Sequence, residues 1–330
     1  MNGWASEVKA GVEERLHAFF VTERARAIAI APEAEALHEA VRSLTMRGGK
    51  RLRPAVLYAA YRSVTQSGGL GDVVDAGAGL EVLQSYLLIH DDWMDGDDER
   101  RGGPSVHAAF GADHDAHQAA SLAILAGNLA CAWSWRLFGS DPAVLEVVQR
   151  MHEEVLIGQQ LDLLAVEDVS RMQQLKTGSY TLRGPMALGA VLGGATAAQA
   201  RSLTSFATPL GEAFQIRDDL LGTFGDPSDT GKSAGNDLRA GKRTALVLAA
   251  EQTGAELSAL ASVFGVADAT DEAVASARAL LERVGAKQTV EERLAKLLDQ
   301  ARAELDGAPL AEPGVTMLRE LADKLAYRSA

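Results

Sequence analysis

Helical periodicity is the feature that most restricts the fold of this chain, because apolar residues recur every three to four positions along most of its length. No run alternates apolar and polar residues as a half-buried strand would. Aromatic residues, which favour strands, make up only 5% of the chain, whereas Ala, Leu and Glu are abundant. The pattern predicts an all-α protein of ten or more helices in a single domain, residues 1–330. The predicted helices cover residues 4–20, 33–45, 54–66, 72–94, 105–110, 115–137, 142–166, 168–180, 185–195, 197–222 and 244–253, with three or four more in 255–328.

Charge and composition exclude several classes of protein. The net charge of −13 argues against nucleic acid and anionic membrane as partners, because both require basic surfaces. The single cysteine, Cys131, permits no internal disulfide and fits a reducing cytoplasm. Residues 1–16 contain no apolar signal segment. The longest uncharged run, 116–135, is interrupted by polar residues, so we expect a buried helix and no integral membrane segment.

A cluster of three aspartates follows an apolar stretch that is predicted to be helical. Asp91 and Asp95 are four residues apart and therefore share a helix face, with Asp92 beside them. Carboxylates at the end of a buried helix are costly unless their charge is compensated. Mg²⁺ is the usual compensating ion, held by one or two carboxylates together with phosphate oxygens. Arg100 and Arg101 follow, and guanidinium groups bind phosphate in a bidentate manner. The segment therefore predicts a site for a diphosphate.

The cluster has two other possible interpretations. A DDxxD pattern alone is most often a solvated acidic turn. A calcium-binding EF-hand loop ending its turn at Gly96 would need acids where Trp93 and Gly102 stand, so it is excluded.

The extended pattern DDxxDxxxxRRG, from Asp91 to Gly102, resembles the first aspartate-rich motif of the trans-isoprenyl diphosphate synthases, the short-chain polyprenyl synthetase family. The segment that begins with Gln215 in QxxDD and continues through FGD, GK and DLRAGKRT resembles the second. The likeness is greatest to geranylgeranyl diphosphate synthases. It implies a helical domain of the isoprenoid synthase type around a central cavity, with the two motifs binding Mg²⁺ from opposite walls. The implied ligands are Asp91, Asp95, Asp218 and Asp219, and the implied number of ions with substrate bound is three.

One position departs from the family pattern in the second motif. Gly222 stands where the family has its third acid, which excludes a ligand from that side chain.

The resemblance also implies which residues bind substrate. Lys50 and Arg53, in GGKRLRP, match the positions that hold isopentenyl diphosphate together with Arg101. Gln84 stands where the family often has His; glutamine can donate to phosphate but carries no charge. The residues implied to contact the allylic diphosphate are Arg100, Lys176, Thr177, Gln215, Lys232 and Lys242. Those implied to take part in catalysis are Asp91, Asp92, Asp95, Arg100, Lys176, Asp218, Asp219 and Lys242. A direct role for Gln159, Gln160 and Asp162, which match another polar spot beside the cavity, stays open.

The implied reaction is the head-to-tail condensation of isopentenyl diphosphate with dimethylallyl, geranyl or farnesyl diphosphate, carried out by a cytoplasmic homodimer. Tyr86 and Leu87, five and four residues before the first motif, match the floor that limits product length. Together with the absence of a two-residue insertion in the motif, they favour a C20 product, and C15 is the alternative. Tyr86 can equally be an ordinary core aromatic.

Two rival functions share these features. A terpene cyclase would need no isopentenyl site, and a non-catalytic synthase subunit usually lacks an aspartate motif; the basic residues and both motifs argue against them. No zinc pattern, catalytic triad, P-loop or GxGxxG is present, and His90 is interpreted as a hydrogen-bonded structural residue.

Overall fold

Helices form most of the chain in the computed structural model, which describes residues 3–166, 168–225 and 235–326. The all-α prediction and the expected ten or more helices are confirmed. The helices are α1 (Gly3–Ile30), α2 (Ala34–Met46), α3 (Leu52–Val64), α4 (Val74–Asp95), α5 (Val106–Phe110), α6 (Ala116–Phe138), α7 (Pro142–Leu163), α8 (Val169–Gln173), α9 (Gly184–Leu192), α10 (Ala197–Phe224), α11 (Asn236–Arg239), α12 (Ala245–Gln252), α13 (Ser258–Ala261), α14 (Asp271–Arg283), α15 (Ala286–Glu304) and α16 (Glu312–Ala326). A short 3₁₀ helix spans Leu70–Asp72, and a π-helical segment spans Gln174–Arg183. No helix in these described residues is both long enough and apolar enough to cross a membrane.

Two predicted helix boundaries are wrong. The first helix continues ten residues beyond its predicted end at 20 and stops just before Pro32, because residues 21–30 are mostly good helix formers. The break predicted at Arg183-Gly184-Pro185 is absent, and the chain is helical from Val169 to Leu192. The hydrogen-bond spacing changes where the π-helical segment meets α9. A proline in the first turn after that change costs less than one in a regular helix interior.

A small β-hairpin follows α4 and was not predicted. Strands β1 (Glu99–Arg100) and β2 (Gly103–Pro104) pair in antiparallel fashion. The turn residues Arg101 and Gly102 have φ angles of 54° and 70°, as in the type I′ turn that suits two-residue hairpins. Strands of two residues are too short to show an alternating pattern.

The contacts of the chain divide it into two compact units. Among the described residues, the first unit contains the chain up to Arg150, Gly184–Thr196 and Ala311–Gly314, and the second contains Met151–Arg183, Ala197–Leu310 and the chain from Val315. The first aspartate motif belongs to the first unit and the second motif to the second. That the chain forms a single domain stays a prediction.

Helix α4 is central to the first unit. It packs most extensively against α6 and also contacts α1 and α3. Leu80, Leu83 and Ile89 on this helix are completely or almost completely buried, and each such side chain contributes roughly 1.5–3 kcal/mol through burial. Helix α3 packs on α9, where a Cβ on Gly189 would lie 2.3 Å from the carbonyl oxygen of Leu57. Only glycine allows the two backbones to approach this closely.

Helix α10 has the same role in the second unit. It packs against α15 and the π-helical segment, and α12 also packs on α15. Leu203, Phe206 and Leu210 form its buried face. The last turns of α10 carry Asp218 and Asp219, so the packing of this helix fixes the position of the second motif.

Candidate active site

The first aspartate motif occupies the last turn of α4. The helix ends at Asp95, and Gly96 takes the left-handed cap conformation with φ 69°. Asp92 is completely buried, Asp91 is half-buried and Asp95 is exposed. The three carboxylates thus pass from the core to the surface within one turn.

Asp92 is held by an arginine of the hairpin. The Nε of Arg100 donates to Oδ1 of Asp92 at 2.6 Å, and its Nη2 pairs with both Asp92 and, at 3.0 Å, Asp97. Burial raises the pKa of Asp92, and the adjacent guanidinium partly offsets that effect. Arg100, which was predicted to meet a diphosphate, therefore contacts the motif itself in this structure.

The donor set at this turn fits a hard divalent cation. Oδ2 of Asp92 is buried and has no hydrogen-bond partner among the described residues. A carboxylate oxygen in that state is costly, and Mg²⁺ prefers such oxygen ligands. Within the described parts of the chain, no three His, Cys, Asp or Glu side chains lie close enough together to hold a metal on their own.

The structure brings Arg101 to the loop that carries Lys50. The Nη1 of Arg101 lies 3.5 Å from the carbonyl oxygens of Leu44 and Gly48. Its guanidinium carbon is 3.9 Å from the position of a Cβ on Gly49. Lys50 is exposed at the tip of this loop. The hairpin and the glycine loop therefore form one basic surface of the first unit.

Two other residues predicted to bind isopentenyl diphosphate lie on helices of the first unit. Arg53 is in the first turn of α3 and is 9% exposed. Gln84 is half-buried on α4, seven residues before Asp91. That separation is about two helical turns, so Gln84 and Asp91 share a face.

Tyr86 is a buried residue of α4 that lies near Cys131 on α6. It is 7% exposed, and burial raises its pKa to about 12. Its ring packs edge-on against His90, with 4.9 Å between ring centroids. Leu87 beside it is half-buried. Whether Tyr86 and Leu87 limit product length stays a prediction.

His90 is a structural residue, as the sequence indicated. Its Nε2 donates to the carbonyl oxygen of Ile124 on α6 at 3.3 Å. A Cβ on Gly127 would lie only 2.3 Å from that nitrogen, so the absence of a side chain at 127 makes room for the ring. Burial lowers the pKa of His90, which keeps the imidazole neutral at ordinary pH.

In the second motif, Asp219 has a structural task that the sequence did not show. The Nε2 of Gln215 donates to its Oδ1 at 3.0 Å, and the backbone N–H of Ala245 donates to its Oδ2 at 3.0 Å. The side chain of Gln173 adds a further hydrogen bond, while burial raises the pKa of Asp219 to about 6. Asp219 thus joins α10 to the first turn of α12. Its neighbour Asp218 is half-buried.

Asp237 is an acid of this region that the sequence analysis missed. A Cβ on Gly222 would lie 2.0 Å from Oδ2 of Asp237, so this carboxylate occupies the space of the missing third acid. It is close enough to Asp219 to raise that residue's pKa through charge repulsion. The Nζ of Lys242 is 3.7 Å from Oδ1 of Asp237. The sequence contained one signal for this residue: Gly222 replaces the third acid of the motif, and Asp237 in the following DLR segment is an acid that could take its place.

Lys176 lies in the π-helical segment and pairs with Asp162 on α7. A Cβ on Gly158 would be 2.2 Å from the backbone nitrogen of Lys176, so the two backbones touch there. Thr177 is half-buried beside it. Lys232 lies outside the described residues.

A cavity of about 170 Å³ lies in the second unit, among α8, the π-helical segment, α10, α12 and α15. Gln173 and Gln215, which both bind Asp219, line it. Arg293 and Glu212, which form an ion pair, also line it.

Comparison with known proteins identifies the family. The sequence model of the polyprenyl synthetase family matches residues 34–281. Geranylgeranyl diphosphate synthase of Methanosarcina mazei is 31% identical over 308 residues, which cover 89% of this chain and 90% of that protein. Geranylfarnesyl diphosphate synthase of Natronomonas pharaonis is 30% identical, with 98% and 99% covered. The crystal structure of geranylgeranyl pyrophosphate synthase from Corynebacterium glutamicum, complexed with isoprenyl diphosphate and magnesium, is similar with a TM-score of 0.88 and 34% identity, and covers 98% of this chain and 99% of that one. The fold is therefore the isoprenoid synthase fold, and the chain belongs to the polyprenyl synthetase family of prenyltransferases.

Proposed function

We propose that this protein is a Mg²⁺-dependent trans-prenyltransferase that condenses isopentenyl diphosphate head-to-tail with allylic diphosphates. The observation that carries the proposal is the last turn of α4. There a buried aspartate with a partnerless oxygen adjoins Asp91 and Asp95, and a hairpin adds Arg100 and Arg101 to the same unit. Acids for a metal and guanidinium groups for phosphate are the two components that a diphosphate site requires.

In the first unit, Mg²⁺ would be held by Asp91 and Asp95, with Asp92 behind them. In the second unit, it would be held by Asp218 and Asp219, together with Asp237. When bound, the metal supplies Lewis-acid stabilisation of the diphosphate leaving group. Asp219 already accepts hydrogen bonds on both oxygens, so we expect Asp218 and Asp237 to provide most of the second set. The number of three ions with substrate bound rests on family resemblance.

The basic residues divide into two substrate-binding sets. Lys50, Arg53 and Arg101, together with Gln84, would hold isopentenyl diphosphate. The second set would stabilise negative charge on the departing diphosphate of the allylic substrate, and consists of Arg100, Lys176, Thr177, Gln215, Lys232 and Lys242.

The reaction then needs no protein nucleophile. The C–O bond of the allylic diphosphate breaks, and the diphosphate leaves with the electron pair. The double bond of isopentenyl diphosphate attacks the resulting carbocation to form the new C–C bond. A proton is then lost to the released diphosphate, which restores a double bond. The apolar helices around the motifs serve to exclude water, which would quench the cation.

The product we propose is geranylgeranyl diphosphate (C20), with farnesyl diphosphate (C15) as the alternative. The support is Tyr86, a buried aromatic five residues before the first motif. From the resemblance to the trans-isoprenyl diphosphate synthases we also propose a homodimer. The single cysteine supports a cytoplasmic location.

The test is an incubation of the purified protein with Mg²⁺, labelled isopentenyl diphosphate and each allylic starter in turn. The dephosphorylated products are then separated by chain length. We expect C20 to predominate from every starter and the double variant Asp91→Asn/Asp95→Asn to be inactive. A wild-type protein that consumes no isopentenyl diphosphate would refute the proposal. A C15 product would leave the reaction class intact and change only the product assignment.

A further inference from the structure

Arg51 is fully buried, although it stands between the two basic residues proposed to hold isopentenyl diphosphate. Its Nη1 donates to Oε2 of Glu81 on α4 at 2.6 Å, and its Nη2 donates to the carbonyl oxygen of Thr45 at 3.0 Å. Its Nε donates to Oε1 of Glu13 on α1 at 3.2 Å. The side chains of Arg51 and Glu81 are 0% and 2% exposed. One guanidinium therefore ties the start of α3 to three other helices.

The positive charge of Arg51 is compensated inside the protein. Glu81 and Glu13 neutralise it, so Arg51 adds no positive charge to the phosphate-binding surface. Oε1 of Glu81 is buried and has no hydrogen-bond partner among the described residues. Because the desolvation of two charges offsets much of their attraction, a buried ion pair is weak evidence for stability. Its presence calls for a reason other than stability.

The backbone next to the pair is held in an unusual conformation. Gly48, Gly49 and Arg51 have φ angles of 89°, 118° and 48°. A left-handed conformation is strained for a residue with a side chain and persists only where the surroundings impose it. The guanidinium of Arg101 borders the same loop at Gly49, on which a Cβ would lie 4.0 Å from Nη1 of Arg51.

We propose that the buried Arg51–Glu81 pair is a positioning device for isopentenyl diphosphate. It holds the glycine loop in the conformation that lets Lys50, Arg53 and Arg101 contact one diphosphate. Arg51 touches no substrate and acts through the backbone that it fixes. The inference rests on the proposed function, since it concerns how that function's second substrate is held.

Removing only one partner would leave a buried charge uncompensated and would destabilise the protein for an unrelated reason. The informative variant is therefore Arg51→Met/Glu81→Leu, which removes both charges together. We expect it to fold and unfold cooperatively. We also expect its KM for isopentenyl diphosphate to rise roughly tenfold or more, because a displacement of about 1 Å is enough to lose such an interaction. The KM for the allylic substrate should be unchanged.

Direct binding gives a second readout. Calorimetric titration with isopentenyl diphosphate alone should show a Kd weakened by the same factor as the KM. Arg51→Lys, which keeps the positive charge beside Glu81 and removes the fixed geometry of the guanidinium, supplies the same two measurements if the double variant does not fold, and its expected shifts are smaller in the same direction.

The control is Glu23→Leu/Arg136→Met, at an ion pair of which only the acid is buried. Glu23 is 3% exposed and accepts from Arg136 at 2.9 Å in the same unit, between α1 and α6. This variant should change thermal stability without changing either KM.

The inference is wrong if the Arg51/Glu81 variants keep the wild-type KM and Kd for isopentenyl diphosphate, or if the KM values of both substrates rise together. A wild-type protein that consumes no isopentenyl diphosphate would instead refute the proposed function.

Discussion

Asp237 occupies the space that a side chain on Gly222 would need, with Oδ2 2.0 Å from the position of a Cβ there. A carboxylate from fifteen positions later in the chain therefore lies beside the position at which the family motif has its third acid. Asp237→Asn should lower the affinity for Mg²⁺, because a neutral amide replaces an anionic oxygen donor. The measurements are the Mg²⁺ dependence of the rate and the binding of Mn²⁺ followed by its magnetic resonance spectrum. Asp299→Asn, at an exposed acid of α15, is the control and should behave as wild type.

A paired exchange makes the same prediction sharper. Asp237→Gly alone should weaken metal binding, and Gly222→Asp alone should disturb the site because two carboxylates would compete for one position. The double variant Gly222→Asp/Asp237→Gly returns the acid to the position of the family motif and should recover metal binding. Equal Mn²⁺ binding by all three variants and the wild type would show that neither position serves the metal.

Tyr86→Ala should lengthen the product. The substitution removes a buried ring of α4 that packs on His90, and we expect the growing chain then to extend past that level. It should also lower the free energy of unfolding by about 3–5 kcal/mol, the usual cost of an aromatic-to-alanine change in a core, so the assay requires a temperature well below the variant's Tm. Tyr58→Ala, at a buried tyrosine of α3, should lose stability without changing chain length. An unchanged product from Tyr86→Ala would remove this residue as the floor.

Burial of His38 should make the free energy of unfolding depend on pH. It is completely buried in α2, where its Nε2 donates to the carbonyl oxygen of Phe20 at 2.9 Å, and burial lowers its pKa. As the pH falls below about 6.5, His38 is therefore protonated in the unfolded chain while it is still neutral in the folded chain. The free energy of unfolding should fall as the pH decreases below about 6.5, by at most about 1.4 kcal/mol per pH unit from this group. Denaturant unfolding between pH 5 and pH 8 should show a shallower fall in His38→Gln than in wild type, and His17→Gln, at an exposed histidine, should keep the wild-type slope.

Periodicity predicted most helices to within a few residues, because their apolar faces are buried along their whole length. The β-hairpin at Glu99–Pro104 escaped because two-residue strands leave no pattern. The π-helical segment escaped because its residues also suit an ordinary helix. Motif spacing identified Asp91, Asp92 and Asp95, which are adjacent on one helix. It could not identify Asp237, whose nearness to Gly222 is produced by the fold. The resemblance that selected Lys50 and Arg53 assigned no role to Arg51 between them, because the contacts of Arg51 with α1, α2 and α4 are visible only in the structure.

Gly127→Ala should lower activity through His90. A Cβ at 127 would lie 2.3 Å from Nε2 of His90, so the ring must move, and its hydrogen bond to Ile124 must break or lengthen. Asp91 follows His90 directly in the last turn of α4, so the displacement reaches the first aspartate motif. We expect a lower kcat and a loss of stability of about 1–3 kcal/mol, as for other overpacked cores. Gly71→Ala is the control, since a Cβ there meets no atom within 4 Å.

If His90 only fills space, Gly127→Ala/His90→Ala should recover the wild-type kcat, because the smaller side chain removes the clash. If the hydrogen bond of the ring positions Asp91, that double variant should stay impaired, and the steady-state kinetics of the two variants distinguish these roles.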